Sequence, residues 1–213
     1  MSESTRTPWP KLKRDLVAIL RGLTPEDCEA VVSGLIEAGF EAIEIPLNSP
    51  DPFRSIETAS LLAPDGVLIG AGTVLDVASV DRLVDCGGQL LVSPNVDAAV
   101  LTRAGEQRLV TMPGVFTATE ALAAARLGAS ALKFFPANVL GPSGITAIRA
   151  VLPADLPIGA VGGVSEKDFA AYAAVGIRTF GLGSSLFRPG DAAAAVKARA
   201  EKTISAYDAV FGG

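Results

Sequence analysis

Eight short apolar, β-branched runs recur along the chain, each followed by one helical pattern, and this alternation restricts the fold more than any other feature. The runs begin LVAILRG (16), AIEIP (42), VLIGAGTV (67), LLVSPN (90), RLVTMPG (108), ALKFFPA (131), PIGAVGGV (157) and TFGLGSSLF (179). Successive starts lie 26, 25, 23, 18, 23, 26 and 22 residues apart. The intervening patterns, such as EDCEAVVSGLIEAG, DVASVDRLVDCG, TATEALAAARLG and EKDFAAYAAVG, often open at a Thr, Ser or Asp cap and close on Gly. Near-continuous apolar strands alternating with helices predict a parallel sheet covered by helices. Eight units favour closure into a single (β/α)8 TIM barrel, although about 250 residues is the usual size for that fold. A doubly wound open sheet is the alternative. No linker or low-complexity tract divides the chain, so residues 16–213 are expected to form one barrel, preceded by a loose segment over 1–15.

Composition removes several kinds of chemistry. The 213 residues include no histidine, which excludes Ser-His-Asp and Cys-His nucleophiles, imidazole bases and histidine-ligated zinc or haem. Acid–base work must fall to Glu, Asp, Lys, Tyr or water. Cys28 and Cys86 lie far apart and form no CxxC pair, so they are expected to be structural thiols in a reducing compartment. The opening MSESTRTPWPKLKR has no apolar core of a secretory signal. No apolar run approaches the ~18 residues of a membrane span. A net charge of −5 and a pI near 4.8 argue against a nucleic-acid partner. The expectation is a cytoplasmic protein with neither a membrane nor a nucleic-acid partner.

In a (β/α)8 barrel the chemistry sits at the C-terminal ends of the strands. Lys133 is the sharpest signal there. The chain has six lysines, and this one lies inside the apolar strand ALKFFPA. An unpaired buried ammonium is costly, so the residue is either held in a structural ion pair, snorkelling or functional. Desolvation favours the neutral amine, a nucleophile towards a ketone. Glu44, in AIEIP, alternates with Ile43 and Ile45 and so points into the lumen when the isoleucines pack under the helices. It could neutralise Lys133 or shuttle protons. Arg21 follows Val17 and Ile19 in phase, at a strand end where a guanidinium can take a carboxylate or phosphate in bidentate fashion; a surface ion pair is the plainer reading.

Three glycine-containing turns follow strands, at 70–74, 160–164 and 181–185. The last two follow strands 7 and 8, where barrels of this kind frequently hold a phosphate. Gly162, Gly163, Gly183 and Ser184 are therefore phosphate candidates, against the default of a tight turn with no ligand. The inventory of amine, carboxylate, arginine and phosphate cradle describes an enzyme that splits or condenses a phosphorylated keto acid through an imine, with no metal or cofactor.

At these residues the sequence resembles the class I aldolases of 2-keto-3-deoxy-6-phospho sugar acids, the KDPG/KDPGal aldolase family. The shared motifs run in family order: AILRG (18–22), EIPLNSP (44–50), IGAGTVL (69–75), LVSPN (91–95), MPG (112–114), LKFFPA (132–137), AVGGV (160–164) and GLGSSLF (181–187). The resemblance implies a (β/α)8 homotrimer acting on a phosphorylated sugar acid. It makes Lys133 the Schiff-base lysine and Glu44 the proton shuttle. It places Arg21 and Thr73 on the pyruvyl end, with Gly72 and Pro94 shaping that pocket, and Gly162, Gly163, Gly183 and Ser184 on the phosphate. One departure stands out. Gluconate-type members carry an arginine after strand 2, in a pattern like EVTLRT, where this chain has Asn48. The carboxylate role would pass to Arg21. The gluconate type also has a Thr where this chain has Val161, so the resemblance leans to the galactonate branch, with a gluconate or dual-specificity enzyme as the alternative. A non-catalytic phosphate-binding barrel would keep the glycine turns without needing Lys133, and a metal-dependent aldolase would need a carboxylate cluster at the mouth.

Overall fold

The computed structural model describes residues 6–212. Its strands are β1 (Leu16–Ile19), β2 (Ala42–Pro46), β3 (Leu68–Gly72), β4 (Leu90–Ser93), β5 (Val110–Val115), β6 (Leu132–Phe134), β7 (Ile158–Val161) and β8 (Thr179–Leu182). They form one closed parallel barrel in chain order. Closure runs through Leu16 opposite Phe180, Val17 opposite Gly181 and Ala18 opposite Leu182, which settles the choice between barrel and open sheet. The helices between and after them are α1 (Pro25–Ala38), α2 (Pro52–Leu62), α3 (Val77–Asp85), α4 (Ala98–Glu106), α5 (Ala118–Arg126), α6 (Ala137–Arg149), α7 (Phe169–Ala173) and α8 (Ala193–Phe211). None of these helices is long and apolar enough to cross a membrane.

Local chemistry sets the helix ends. Thr24 accepts the N–H of Asp27 ahead of Pro25, and Gly39 ends α1 in the left-handed region. Thr117 and Glu120 form a reciprocal capping box at α5. Two helices depart from the simple pattern. In α6, Gly141 at φ +66° precedes Pro142, and two helical pieces meet at that kink. Before α7, a Ser165–Asp168 capping box tightens the first turn into a 3-10 turn over Glu166–Asp168.

The two-residue period of the strands divides the interior into two cores. Ile43, Ile45, Leu132 and Phe134 face outward into the layer packed by the helices. Val17, Ala42, Leu90, Val92, Met112, Ala131 and Val161 fill the lumen. Phe180, Phe169, Tyr207 and Phe211 stack against one another and tie β8 to α7 and α8.

Residues 6–15 are not a loose tail. Trp9 and Leu12 pack on the lumenal cluster, Trp9 Nε1 donates to Asp15 Oδ1 at 3.2 Å, and the Thr7 carbonyl accepts from Ser130 Oγ at 2.5 Å. A parallel barrel leaves apolar lumenal side chains open at its N-terminal end. An amphipathic Trp that covers them while satisfying its own N–H is a natural plug. The first five residues of the expected loose segment lie outside the described residues.

Candidate active site

At the opposite end of the lumen, a cavity of about 660 Å³ opens among the strand ends and the loops that follow them. Ten of the candidates drawn from the sequence line it: Arg21, Glu44, Thr73, Pro94, Lys133, Val161, Gly162, Gly163, Gly183 and Ser184; Gly72 is not among its lining residues. Strand phase brings the three charged ones together. Glu44 follows lumenal Ala42, Lys133 follows lumenal Ala131, and Arg21 follows Ile19, each one step nearer the strand's C-terminal end. Asn48 is exposed and is not among the residues lining the cavity.

Lys133 is only 7% exposed and Glu44 only 3%. Among the described residues neither joins a salt bridge. The structural ion pair, the bland reading of Lys133, is therefore not what the molecule builds. Burial drives the Lys133 amine below the usual lysine range; Glu44 opposes this shift and Arg21 adds to it. Burial likewise pushes the Glu44 carboxyl up to about 7, against the pull of Lys133 and Arg21. Glu44 Oε2 is buried without a hydrogen-bond partner. An orphan acceptor in that position costs stability, which is tolerable where a substrate group fills it.

Glycines flank Lys133 and make room for Glu44. Lys133 lies between Gly114 of β5 and Gly159 of β7 in register. A Cβ on Gly72 would sit 1.5 Å from Glu44 Oε2. The clash is with the end of a flexible side chain, and Gly72 has no left-handed backbone to lose. Gly72→Ala is therefore expected to fold, to swing the Glu44 carboxylate out of place and to lower kcat at least tenfold. A variant with wild-type kcat would show that the carboxylate does not need this position.

Thr73 is at φ +57°, in the left-handed region that β-branched residues rarely enter. Strain of that kind at a cavity wall is typical of functional positions. Lys133 Nζ lies 5.0 Å from the centroid of the Phe135 ring, within cation–π range. Gly162 and Gly163 adopt φ +91° and +69°, and a Cβ on either would meet Phe135 or Asn138. The Gly183 carbonyl accepts from the N–H groups of Leu186 and Phe187, which folds the turn after β8 over the cavity. Phe135 and Arg188 also line the cavity and were missed from sequence. Phe135 stands in the apolar run beside Lys133, and Arg188 lies three residues beyond the glycine turn at 181–185. Among the described residues no three His, Cys, Asp or Glu side chains gather as metal ligands.

Residues 11–200 match the family described as "Aldolase: KDPG and KHG aldolase". The chain belongs to that aldolase family. It is 69% identical over 208 residues to the "Probable 2-dehydro-3-deoxy-6-phosphogalactonate aldolase" of Rhizobium meliloti (strain 1021), covering 98% of each chain. It is 45% identical over 195 residues to the "2-dehydro-3-deoxy-6-phosphogalactonate aldolase" of Escherichia coli (strain K12), covering 92% of this chain and 95% of that one. The solved "Native KDPGal structure" superposes with a TM-score of 0.92 at 43% identity, over 95% of this chain and 98% of the other. The aldolase relatives thus match the barrel from end to end, including every strand that contributes to the cavity.

Proposed function

We propose that this chain is a class I aldolase that cleaves 2-dehydro-3-deoxy-6-phosphogalactonate to pyruvate and glyceraldehyde 3-phosphate through an imine on Lys133. One observation carries the reading: a buried amine and a buried carboxylate share one cavity without pairing, and one carboxylate oxygen has no partner. A purely structural pair would have closed on itself. The relatives' names supply the substrate.

In the reaction, the neutral Lys133 amine adds to the C2 ketone, and the carbinolamine hydroxyl takes a proton from solvent and leaves as water, giving a protonated imine that serves as electron sink; the final hydrolysis returns that proton. Ionised Glu44 removes the C4 hydroxyl proton. The electrons of that O–H bond form the aldehyde carbonyl, and the C3–C4 bond breaks towards the imine. Glyceraldehyde 3-phosphate leaves, and an enamine of pyruvate remains. Protonation of its methylene carbon, with Glu44 returning the proton, and hydrolysis of the imine release pyruvate and free Lys133. Arg21 takes the substrate carboxylate, with Thr73 and Pro94 shaping that end of the pocket. Gly162, Gly163, Gly183 and Ser184 hold the phosphate through backbone N–H groups and the Ser184 hydroxyl. The assembly implied by the family resemblance is a homotrimer, and the proposed compartment is the cytoplasm.

The choice between C4 epimers rests on Val161. Its methyl groups lie 2.8 and 3.0 Å from where a Gly181 Cβ would stand, so glycine on β8 leaves the space that valine occupies at the cavity wall. Valine offers a C4 hydroxyl no polar partner, whereas a threonine would. One neutral hydrogen bond is worth about 0.5–1.5 kcal/mol net, roughly two- to twelvefold in rate ratio. Pyruvate release from both epimers is the test. The galactonate substrate is expected to have the higher kcat/KM, and Val161→Thr should move the ratio towards gluconate by that factor. A wild type that favours the gluconate epimer, or a ratio unmoved by the substitution, contradicts the assignment.

A further inference from the structure

Four charged side chains line the cavity. Arg21, Glu44 and Lys133 belong to the strand ends, where the carbonyl chemistry is proposed. The fourth, Arg188, stands on the loop between β8 and α8, beside the glycine turns. That loop is tightly fastened. The Arg188 N–H donates to Asp191 Oδ2 at 2.9 Å, and Arg188 Nε donates to the Ser184 carbonyl at 3.1 Å. Asp191 also accepts from the Arg199 guanidinium, and Arg199 Nε holds the Leu186 carbonyl at 2.8 Å. The charge of Asp191 is therefore matched by Arg199. Among the described residues the Arg188 guanidinium enters no salt bridge. On its other side, Pro189 packs against Gly22 so closely that a Cβ there would lie 2.6 Å from Pro189 Cγ. The loops that carry Arg21 and Arg188 are thus wedged together.

A glycine nest alone presents neutral N–H dipoles to a dianion. An arginine tied to the nest by its Nε, with no salt bridge among the described residues, adds a charge-assisted clamp. We propose that Arg188 is the cation that binds the substrate's terminal phosphate, and that it makes the enzyme selective for phosphorylated over unphosphorylated keto-deoxy sugar acids. The proposal rests on the aldolase reading above.

The test compares wild type, Arg188→Ala and Arg188→Lys on the 6-phosphorylated substrate and on its dephosphorylated counterpart, with inorganic phosphate as a competitive inhibitor. In Arg188→Ala the ratio of kcat/KM, phosphorylated over dephosphorylated, is expected to fall about ten- to a hundredfold, mostly through KM. The inhibition constant for phosphate should rise in parallel, and Arg188→Lys should recover part of both. An unchanged ratio, or equal losses on both substrates, overturns the proposal. A wild type that cleaves neither substrate would instead contradict the aldolase reading, so the two failures are distinguishable.

Discussion

Lys133→Ala is expected to reduce aldol cleavage to background. The imine supplies the electron sink for C3–C4 cleavage, and without the amine the leaving carbanion has nothing to delocalise into. No substitute is at hand, because Lys11, Lys13, Lys167, Lys197 and Lys202 all lie outside the strands and none lines the cavity. The variant should still fold, since it removes a buried amine that has no ion-pair partner and whose charged form is poorly solvated there. Pyruvate release at a tenth of the wild-type rate or more, from a variant with a wild-type melting curve, would refute the imine mechanism.

Glu44→Gln is expected to lower kcat by roughly a hundred- to ten-thousandfold, the usual share of a positioned general base. The amide keeps the carboxylate's shape and loses its basicity, so the imine with pyruvate should still form. The pH profile separates this role from a structural one. With its carboxyl held at about 7 by burial, Glu44 is protonated and idle as a base below that value. Wild-type kcat/KM should therefore climb with pH through about 7, the limb reporting the coupled Glu44–Lys133 pair. In Glu44→Gln that limb should vanish from the residual activity. The same shift affects stability. A carboxyl whose pKa is raised on folding stabilises the fold below the ordinary carboxylate range, and that contribution is lost as pH rises towards 7, on the order of 3 kcal/mol in all. The wild-type melting temperature should accordingly fall relative to the Gln variant across this window. A residual profile that keeps the limb would return Glu44 to a structural role.

The sequence carried the barrel because two periods coincide in it. Strands buried on both faces must be apolar throughout, so AIEIP or ALKFFPA exposes its charged member as an exception. In a barrel that exception can only point into the lumen. That logic placed Glu44 and Lys133, and phase with Val17 and Ile19 placed Arg21. Features that depend on distant parts of the chain were less legible. Nothing local in TRTPWPKL says that Trp9 will close the lumen's N-terminal end, since the cluster it packs on is gathered from strands spread from β1 to β7. Arg188 was invisible for a similar reason. An arginine in a loop is normally a solvated surface residue, and only the fold of the turn after β8 ties it to Ser184. The kink in α6 falls at Gly141-Pro142, a pair that breaks the helical pattern there.

The central claim is that Lys133 forms a covalent imine with the keto acid, and reductive trapping tests it most directly. The protein is incubated with pyruvate and borohydride, and the intact mass and peptide map are read. A single carboxyethyl group on Lys133, absent from Lys133→Ala and retained in Glu44→Gln, is the expected result. An unmodified wild-type protein, or an adduct on any other lysine, would contradict it.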